Sequence, residues 1–277
     1  MPESRNKKHA MKSIAIILGS AFSKESLKEY QFSEVSFSTP FGDQVLYKAE
    51  GVKRPAYLLF RHGLPHTLLP NQINYRAQAA ALKQAGCGAL LVTSSVGVMD
   101  KELPLYQPML ADDLIMLDNR LPDGSTCTMF EAPSPDHAHL VLNEGLFSHA
   151  LRQQIQRISG GLIANTDKEV IFAYVGGPRG KTAAENRMWI TAGANVNSMT
   201  LAPEVVLANE LEIPCAGLVI GHKYSVPGYS NPEEEGVTAS LDRSREATRQ
   251  ILLRFIEEGE PVEPRNHLYR FGKQNAH

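Results

Sequence analysis

The sequence predicts an α/β fold in which one sheet is covered by helices on both faces. Three observations lead there. Short β-branched runs alternate with amphipathic segments, several of those runs are apolar at every successive position, and 277 residues suit one large unit better than two. Hydrophobic residues make up 43% and charged ones 21%, a balance that supports a sizeable core and excludes disorder. The expected unit is a single domain over residues 1–277, with 1–12 as a disordered N-terminal extension.

The elements follow in order. Ser13-Ile14-Ala15-Ile16-Ile17-Leu18 reads as a buried strand ending on the Gly19-Ser20 turn. Lys7, Lys8 and Lys12 ahead of it copy the charged start of an export signal, but the apolar run is at the short limit for one. Further strands are expected at 56–60, 89–94, 114–118, 170–174, 196–199 and 216–220. Gly88-Ala89-Leu90-Leu91-Val92 is apolar throughout, as a central strand buried on both sides must be. Helices are expected at 75–85, 146–158, 183–191, 203–211 and 237–258. The fourth opens on Pro203, whose missing N–H costs nothing in a first turn. Two stretches, 121–139 and 222–236, read as functional loops, rich in Pro and Gly or carrying Glu233-Glu234-Glu235.

Lys and Arg total 28 against 30 for Asp and Glu, a net charge of -2, so no general attraction for nucleic acid or an anionic membrane is expected. Any anion must be held by a local site. No apolar stretch approaches the roughly 18 residues of a membrane span. Cys87, Cys127 and Cys215 form neither a disulfide framework nor a metal cluster, which suits a reducing compartment and a cytoplasmic location. Asp136-His137-Ala138-His139 lacks further ligands nearby, so no metal is expected.

Strand ends are where open α/β sheets bind ligands. Arg61-His62-Gly63 follows the 56–60 strand, and an Arg and a His exposed there can hold a phosphate. A phosphohistidine enzyme carries this tripeptide after its first strand, whereas here about 60 residues precede it. Residues 176–182, Gly-Gly-Pro-Arg-Gly-Lys-Thr, approach a P-loop, but Val175 stands where the first glycine belongs. Leu114-Ile115-Met116-Leu117-Asp118 could supply the Mg²⁺ carboxylate of such an NTPase.

A third reading absorbs both motifs. Residues 61–70, Arg-His-Gly-Leu-Pro-His-Thr-Leu-Leu-Pro, with Asn74-Tyr75 and Ala81-Leu82-Lys83, resemble the methylthioadenosine phosphorylase branch of the trimeric purine nucleoside phosphorylases. The likeness continues in register through 92–97, Gly177-Pro178-Arg179, Ala184-Glu185, Gly193-Ala194, Met199-Thr200 and 203–208. It implies a three-layer αβα sandwich with a mixed central sheet, a homotrimer, and a pentosyltransferase that splits a purine nucleoside with inorganic phosphate and no other cofactor. The likeness assigns phosphate to Ser20, Arg61, His62, Ser94, Ser95 and Thr200, and ribose to Met199 and His66. His66, Val237 and Leu241 would face the 5′ group, and Val96, Gly97, Gly180, Lys181, Lys223 and Ser225 the base.

Phosphorolysis needs a phosphate cradle, a grip on the ribose, and a donor for the leaving base. His62 and Lys223 are the expected catalytic groups. The base end departs from the family, which stacks an aromatic residue where Gly180 stands, has Ser or Glu at Lys181, and has a carboxylate or Asn at Lys223 and a second acid at Ser225. Two lysines brought close and partly desolvated would each lose basicity. The alternative is a relative that binds an anionic or aromatic small molecule at this end without turnover.

Overall fold

The computed structural model describes residues 11–132, 134, 138–229 and 237–270. Of the expected N-terminal extension, residues 1–10 lie outside the described residues, as do 230–236 of the second loop and 136–137 of the Asp-His pattern.

The chain begins with β1 (Ser13–Leu18), the hairpin β2 (Phe32–Thr39) and β3 (Gly42–Ala49), then β4 (Ala56–Phe60), α1 (Tyr75–Gln84) and β5 (Cys87–Val98). Next come β6 (Pro108–Leu110), β7 (Asp113–Ile115), β8 (Ala138–Val141), α2 (His149–Ile158), β9 (Ile171–Tyr174) and α3 (Ala183–Thr191). The last part holds β10 (Val196–Ser198), α4 (Ala202–Glu210), β11 (Cys215–Tyr224), α5 (Val237–Glu258) and β12 (His267–Arg270). One 10-stranded sheet runs β2-β3-β4-β1-β5-β10-β9-β7, with β11 on β5 and β6 on β11. It is mixed: β1 runs parallel to β4 and β5, and β11 parallel to β5, while β10 is antiparallel to β5. β8 and β12 form a separate two-stranded sheet.

Both faces of the large sheet are buried, which the continuous apolar runs require. Ala15 and Ile17 join the core beneath α1 and α4 with Leu82, Val205 and Ala208. Ile14, Ile16 and Leu18 join the opposite core with Leu151 and Ile155 of α2 and Leu252 and Phe255 of α5. Alternate residues of one strand thus serve two layers, completing the αβα sandwich.

Several boundaries move for local reasons. α2 starts at His149 because the Ser148 hydroxyl accepts the Leu151 N–H and caps it. The strand expected to reach 118 stops at Ile115, leaving Leu117 72% exposed. The first expected loop contains β8, and β11 extends to Tyr224, so His222, Lys223 and Tyr224 stand on a strand. The β2–β3 hairpin escapes the sequence pattern because β2 alternates half-buried and exposed residues at the sheet edge and has no continuous apolar run.

Candidate active site

The arrangement that creates the site is a change of partner along one edge of β5. β1 pairs with β5 at Cys87 and from Leu90 to Val92, and β10 takes over at Gly97 and Val98. Between them the edge opens at residues 93–96, and chain from both neighbours turns into the gap. Thr93 Oγ1 accepts the Gly19 N–H at 3.0 Å and donates to the Ile17 carbonyl at 3.0 Å, fixing the turn after β1. On the other side Ser198 Oγ donates to the Ser95 carbonyl at 2.9 Å. The result is a cleft of about 350 Å³ lined by Ser20, Arg61, His62, His66, Ser95, Gly97, Lys181, Asn197, Ser198, Met199 and Thr200, with Gly19 and Pro70. Recesses of about 460 and 470 Å³ lie elsewhere, so size does not choose the site. Convergent polar groups do.

At the bottom of the cleft Arg61 is 1% exposed, and its Nε donates to Glu204 Oε1 on α4, whose side chain is equally buried. Gln78 Nε2 holds the Arg61 carbonyl at 3.1 Å. Arg61 Nη2, Glu204 Oε2, Gln78 Oε1 and Tyr174 Oη are buried without a partner among the described residues. A guanidinium pinned through Nε with an unsatisfied Nη2 is a prepared donor for an oxyanion. Burial, reinforced by the Glu204 charge, pushes the Tyr75 and Tyr174 hydroxyls up and keeps them neutral. Ser94 Oγ lies 3.2 Å from Ser198 Oγ and 3.3 Å from Thr200 Oγ1, a hydroxyl cluster joining β5 to the end of β10. Leu201, with φ 76, bends the chain from β10 into α4, and its fully buried side chain holds that strained turn.

His62, next to Arg61, is buried in the cleft wall. Its Nδ1 lies 2.8 Å from the Leu68 carbonyl, which can only accept, so Nδ1 carries the proton and Nε2 is left as an acceptor. Burial lowers the His62 pKa, against the pull of the Leu68 carbonyl, and the charges of Arg61 and His66 lower it further. The His66 ring stacks on it at 4.4 Å between centroids.

The other end carries cations. Thr182 and Glu185 form a reciprocal cap at the start of α3, and Glu185 also grips Arg179 at 2.7 and 2.9 Å, which fixes the loop before it. Lys181 projects from that loop into the cleft. Burial lowers its pKa, the Lys223 charge lowers it further, and Glu185 opposes both. Gly180 is exposed and leaves the cleft without an aromatic face there.

Of the residues expected to surround a substrate, Ser20, Arg61, His62, His66, Ser95, Gly97, Lys181, Met199 and Thr200 line one cleft. Ser94 lies behind it at 3% exposure. Val96 faces the core, because alternate β5 side chains point away from the cleft. Lys223 is exposed and pairs in register with Gly97, beyond a bulge at His222. Ser225 packs its hydroxyl over Gly97, the position where a methyl would have no room. Leu241 is half-buried and outside the lining, and the side chain of Val237 lies outside the described residues. Sequence reasoning missed Asn197 and Ser198, and it missed the pairing of Glu204 with Arg61. Two polar residues on a short buried strand were the available signal for the first two.

Residues 13–257 match the model of the phosphorylase superfamily. The chain belongs to this superfamily. It is 31% identical over 257 residues to the S-methyl-5'-thioadenosine phosphorylase of Danio rerio, covering 88% of this chain and 87% of that one. It is 29% identical over 228 residues to the enzyme of the same name from Nitrosopumilus maritimus, covering 81% and 83%. Among solved structures it resembles a double mutant of the adenosine/methylthioadenosine phosphorylase of Schistosoma mansoni in complex with adenine. That match has a TM-score of 0.75 and 25% identity, and covers 88% of this chain and 91% of that one. Superfamily membership explains why the 61–63 and 176–182 motifs meet in one cleft.

Proposed function

We propose that the protein cleaves a purine nucleoside with inorganic phosphate, 5′-methylthioadenosine being the first candidate, to give the free base and a ribose 1-phosphate. The observation that carries this is the meeting of Arg61, Ser95, Thr200 and Ser20 at the open edge of β5, within one cleft with Met199 and Lys181. Phosphate sits on Arg61, whose orientation Glu204 sets, with the hydroxyls of Ser20, Ser95 and Thr200 around it. It attacks C1′ as the bond to the base nitrogen breaks, and positive charge grows on the ribose. Met199 and the neutral Nε2 of His62 border that sugar, and His66 lies toward its 5′ end. The electron pair of the broken bond goes to the base, where the ammonium of Lys181 donates a hydrogen bond, with Lys223 adding positive charge nearby. The proton that completes the free base is the one hydrogen phosphate gives up on becoming the sugar ester.

The relatives named for methylthioadenosine suggest the 5′ substituent. A homotrimer is part of the same proposal. Leu117, Met188 and Ile190 are exposed large apolar side chains, and Leu117 borders a recess shared with Trp189 and Val175. Light scattering that returns three times the chain mass supports the trimer, and a monomer mass rejects it.

The deciding experiment incubates the protein with a panel of purine nucleosides, with and without phosphate, and measures base and sugar phosphate. Phosphate-dependent release from 5′-methylthioadenosine is expected. Binding of a base without release from any nucleoside would establish the alternative, a binder built on a phosphorylase fold.

A further inference from the structure

Arg61 is held from two sides, and each holder has a second atom that the hold does not use. Gln78 Nε2 on α1 donates to the Arg61 carbonyl at 3.1 Å, and Glu204 Oε1 on α4 accepts from Arg61 Nε. Their other atoms, Gln78 Oε1 and Glu204 Oε2, are buried and accept no hydrogen bond among the described residues. The hydroxyl of Tyr174, at the end of β9, is buried and equally unpartnered among them. The Tyr174 ring packs in the core beneath α4 with Leu201 and Val205, which stand on either side of Glu204 in the chain. Glu204 is the charge that acts most strongly on that hydroxyl, and together with burial it keeps the phenol protonated and able to donate. Gln78 stands one turn from Tyr75 on α1, and the Tyr75 hydroxyl feels Glu204, Arg61 and Tyr174 together. Two acceptors and one donor, none of them used, thus gather behind the guanidinium.

We infer that Tyr174 and Gln78 are positioning residues for phosphate, acting through Glu204 and Arg61, with internal water bridging the Tyr174 hydroxyl to Glu204 Oε2 and Gln78 Oε1. This rests on the phosphorolysis reading of the cleft and carries its anion site one layer further inward. The balance of donors and acceptors selects water. The carboxylate and amide oxygens each need a hydrogen, and the phenol has one to give; water donates twice and accepts in return. Internal waters make about three hydrogen bonds to buried polar groups, which is what these three atoms offer. The consequence falls on the guanidinium. A carboxylate fixed at both oxygens has one orientation, and so has the Arg61 fork that it holds. That orientation matters at the turn after β1, where a methyl on Gly19 would stand 3.3 Å from Arg61 Nη1. A carboxylate free to rotate would let the fork swing away from the place between this turn and Thr200 where phosphate is proposed to sit.

The test separates the phosphate half of the reaction from the nucleoside half. Tyr174→Phe and Gln78→Met each remove one partner of the water, on different elements, and KM is measured for phosphate and for the nucleoside separately. A rise of about three- to tenfold in the phosphate KM is expected from one lost hydrogen bond, with the nucleoside KM unchanged. Val205→Ala thins the same core without removing a polar atom, and it should lower the melting temperature and leave both constants alone. A phosphate KM that keeps its wild-type value in Tyr174→Phe or in Gln78→Met would overturn the inference. So would two constants that rise together, in these variants and in Val205→Ala alike. A second arm needs no turnover: the rise in melting temperature produced by inorganic phosphate is measured for wild type and both variants. A smaller rise in the variants, with no nucleoside cleaved by wild type, would support the positioning role and reject phosphorolysis. Cleavage with the same phosphate KM and the same rise in all three proteins would do the reverse. Neither a rise nor cleavage in wild type would overturn both. Circular dichroism of each variant separates a lost contact from a lost fold.

Discussion

The two ends of the cleft are built on opposite electrostatic plans. At the inner end Arg61 and Glu204 are both about fully buried and matched in charge, and hydroxyls of Ser94, Ser198 and Thr200 touch one another. At the outer end Lys181 and Lys223 repel each other, and among the described residues Lys181 forms no ion pair and Asn197 Oδ1 accepts no hydrogen bond. Both ends keep buried atoms unpartnered among the described residues, Arg61 Nη2 at the inner end and Asn197 Oδ1 at the outer, but only the inner end has its cation balanced by a buried carboxylate.

The largest test attacks the charge-matched end. Arg61→Met strands the Glu204 carboxylate in the core and should cost about 3–5 kcal/mol of stability, read as a drop in the urea midpoint. Phosphorolysis should fall about 10²–10³-fold with it. The double variant Arg61→Met, Glu204→Leu removes both charges and should recover most of the stability while activity stays lost. If activity returned as well, the pair would be structural only.

A smaller loss is expected from Lys181→Met, about 10–100-fold in kcat/KM, with little change in stability because the outer end is not charge-matched. Its pH dependence gives a sharper test. The proposed donor is the charged form of Lys181, and its pKa is lowered by burial and by Lys223, so activity should fall with rising pH earlier than an ordinary lysine would impose. Lys223→Met removes the like charge, raises the Lys181 pKa, and should move that alkaline limb to higher pH. An unmoved limb would show that the two lysines do not communicate.

The smallest effect concerns His62. Its pKa is lowered in the fold, so between that value and the ordinary one near 6.5 the unfolded chain binds more protons. Stability from this group is complete above about pH 6.5 and is lost as pH falls toward the lowered pKa. His62→Gln should flatten part of the fall in melting temperature on acidification. His222, whose pKa burial also lowers, should account for part of the remainder.

The two ends were unequally legible in the sequence. The buried strand β1 and the first half of β5 announce themselves as apolar runs, and Arg61 and His62 stand directly after a third strand, β4, so those two could be placed by position, while Ser20, Ser94, Ser95 and Thr200 needed the family resemblance. The departure at Gly180 and Lys181 was also visible, since it is a change of residue type at a fixed place. What stayed hidden depends on three-dimensional pairing. Glu204 reads as an ordinary first-turn acid of α4, and only packing of that helix on the sheet brings it to Arg61. Asn197 reads as one residue of a three-residue strand, and only the fold brings Met99 and Asn186 to its amide. The bulge that sets Lys223 opposite Gly97 has no signature in a count of residues.

The handover of the β5 edge from β1 to β10 also works as a ruler. The span of residues 93–96 fixes how far the turn after β1 stands from the end of β10. A slip of either neighbour by one register position would change that span by about 3.3 Å. Reacting atoms must approach to about 3–3.5 Å, so such a slip would carry attacking and leaving groups out of reach of each other. The length of this stretch, open on one edge and held by β11 on the other, is therefore as much a part of the catalyst as any side chain, and inserting one residue into it should abolish turnover.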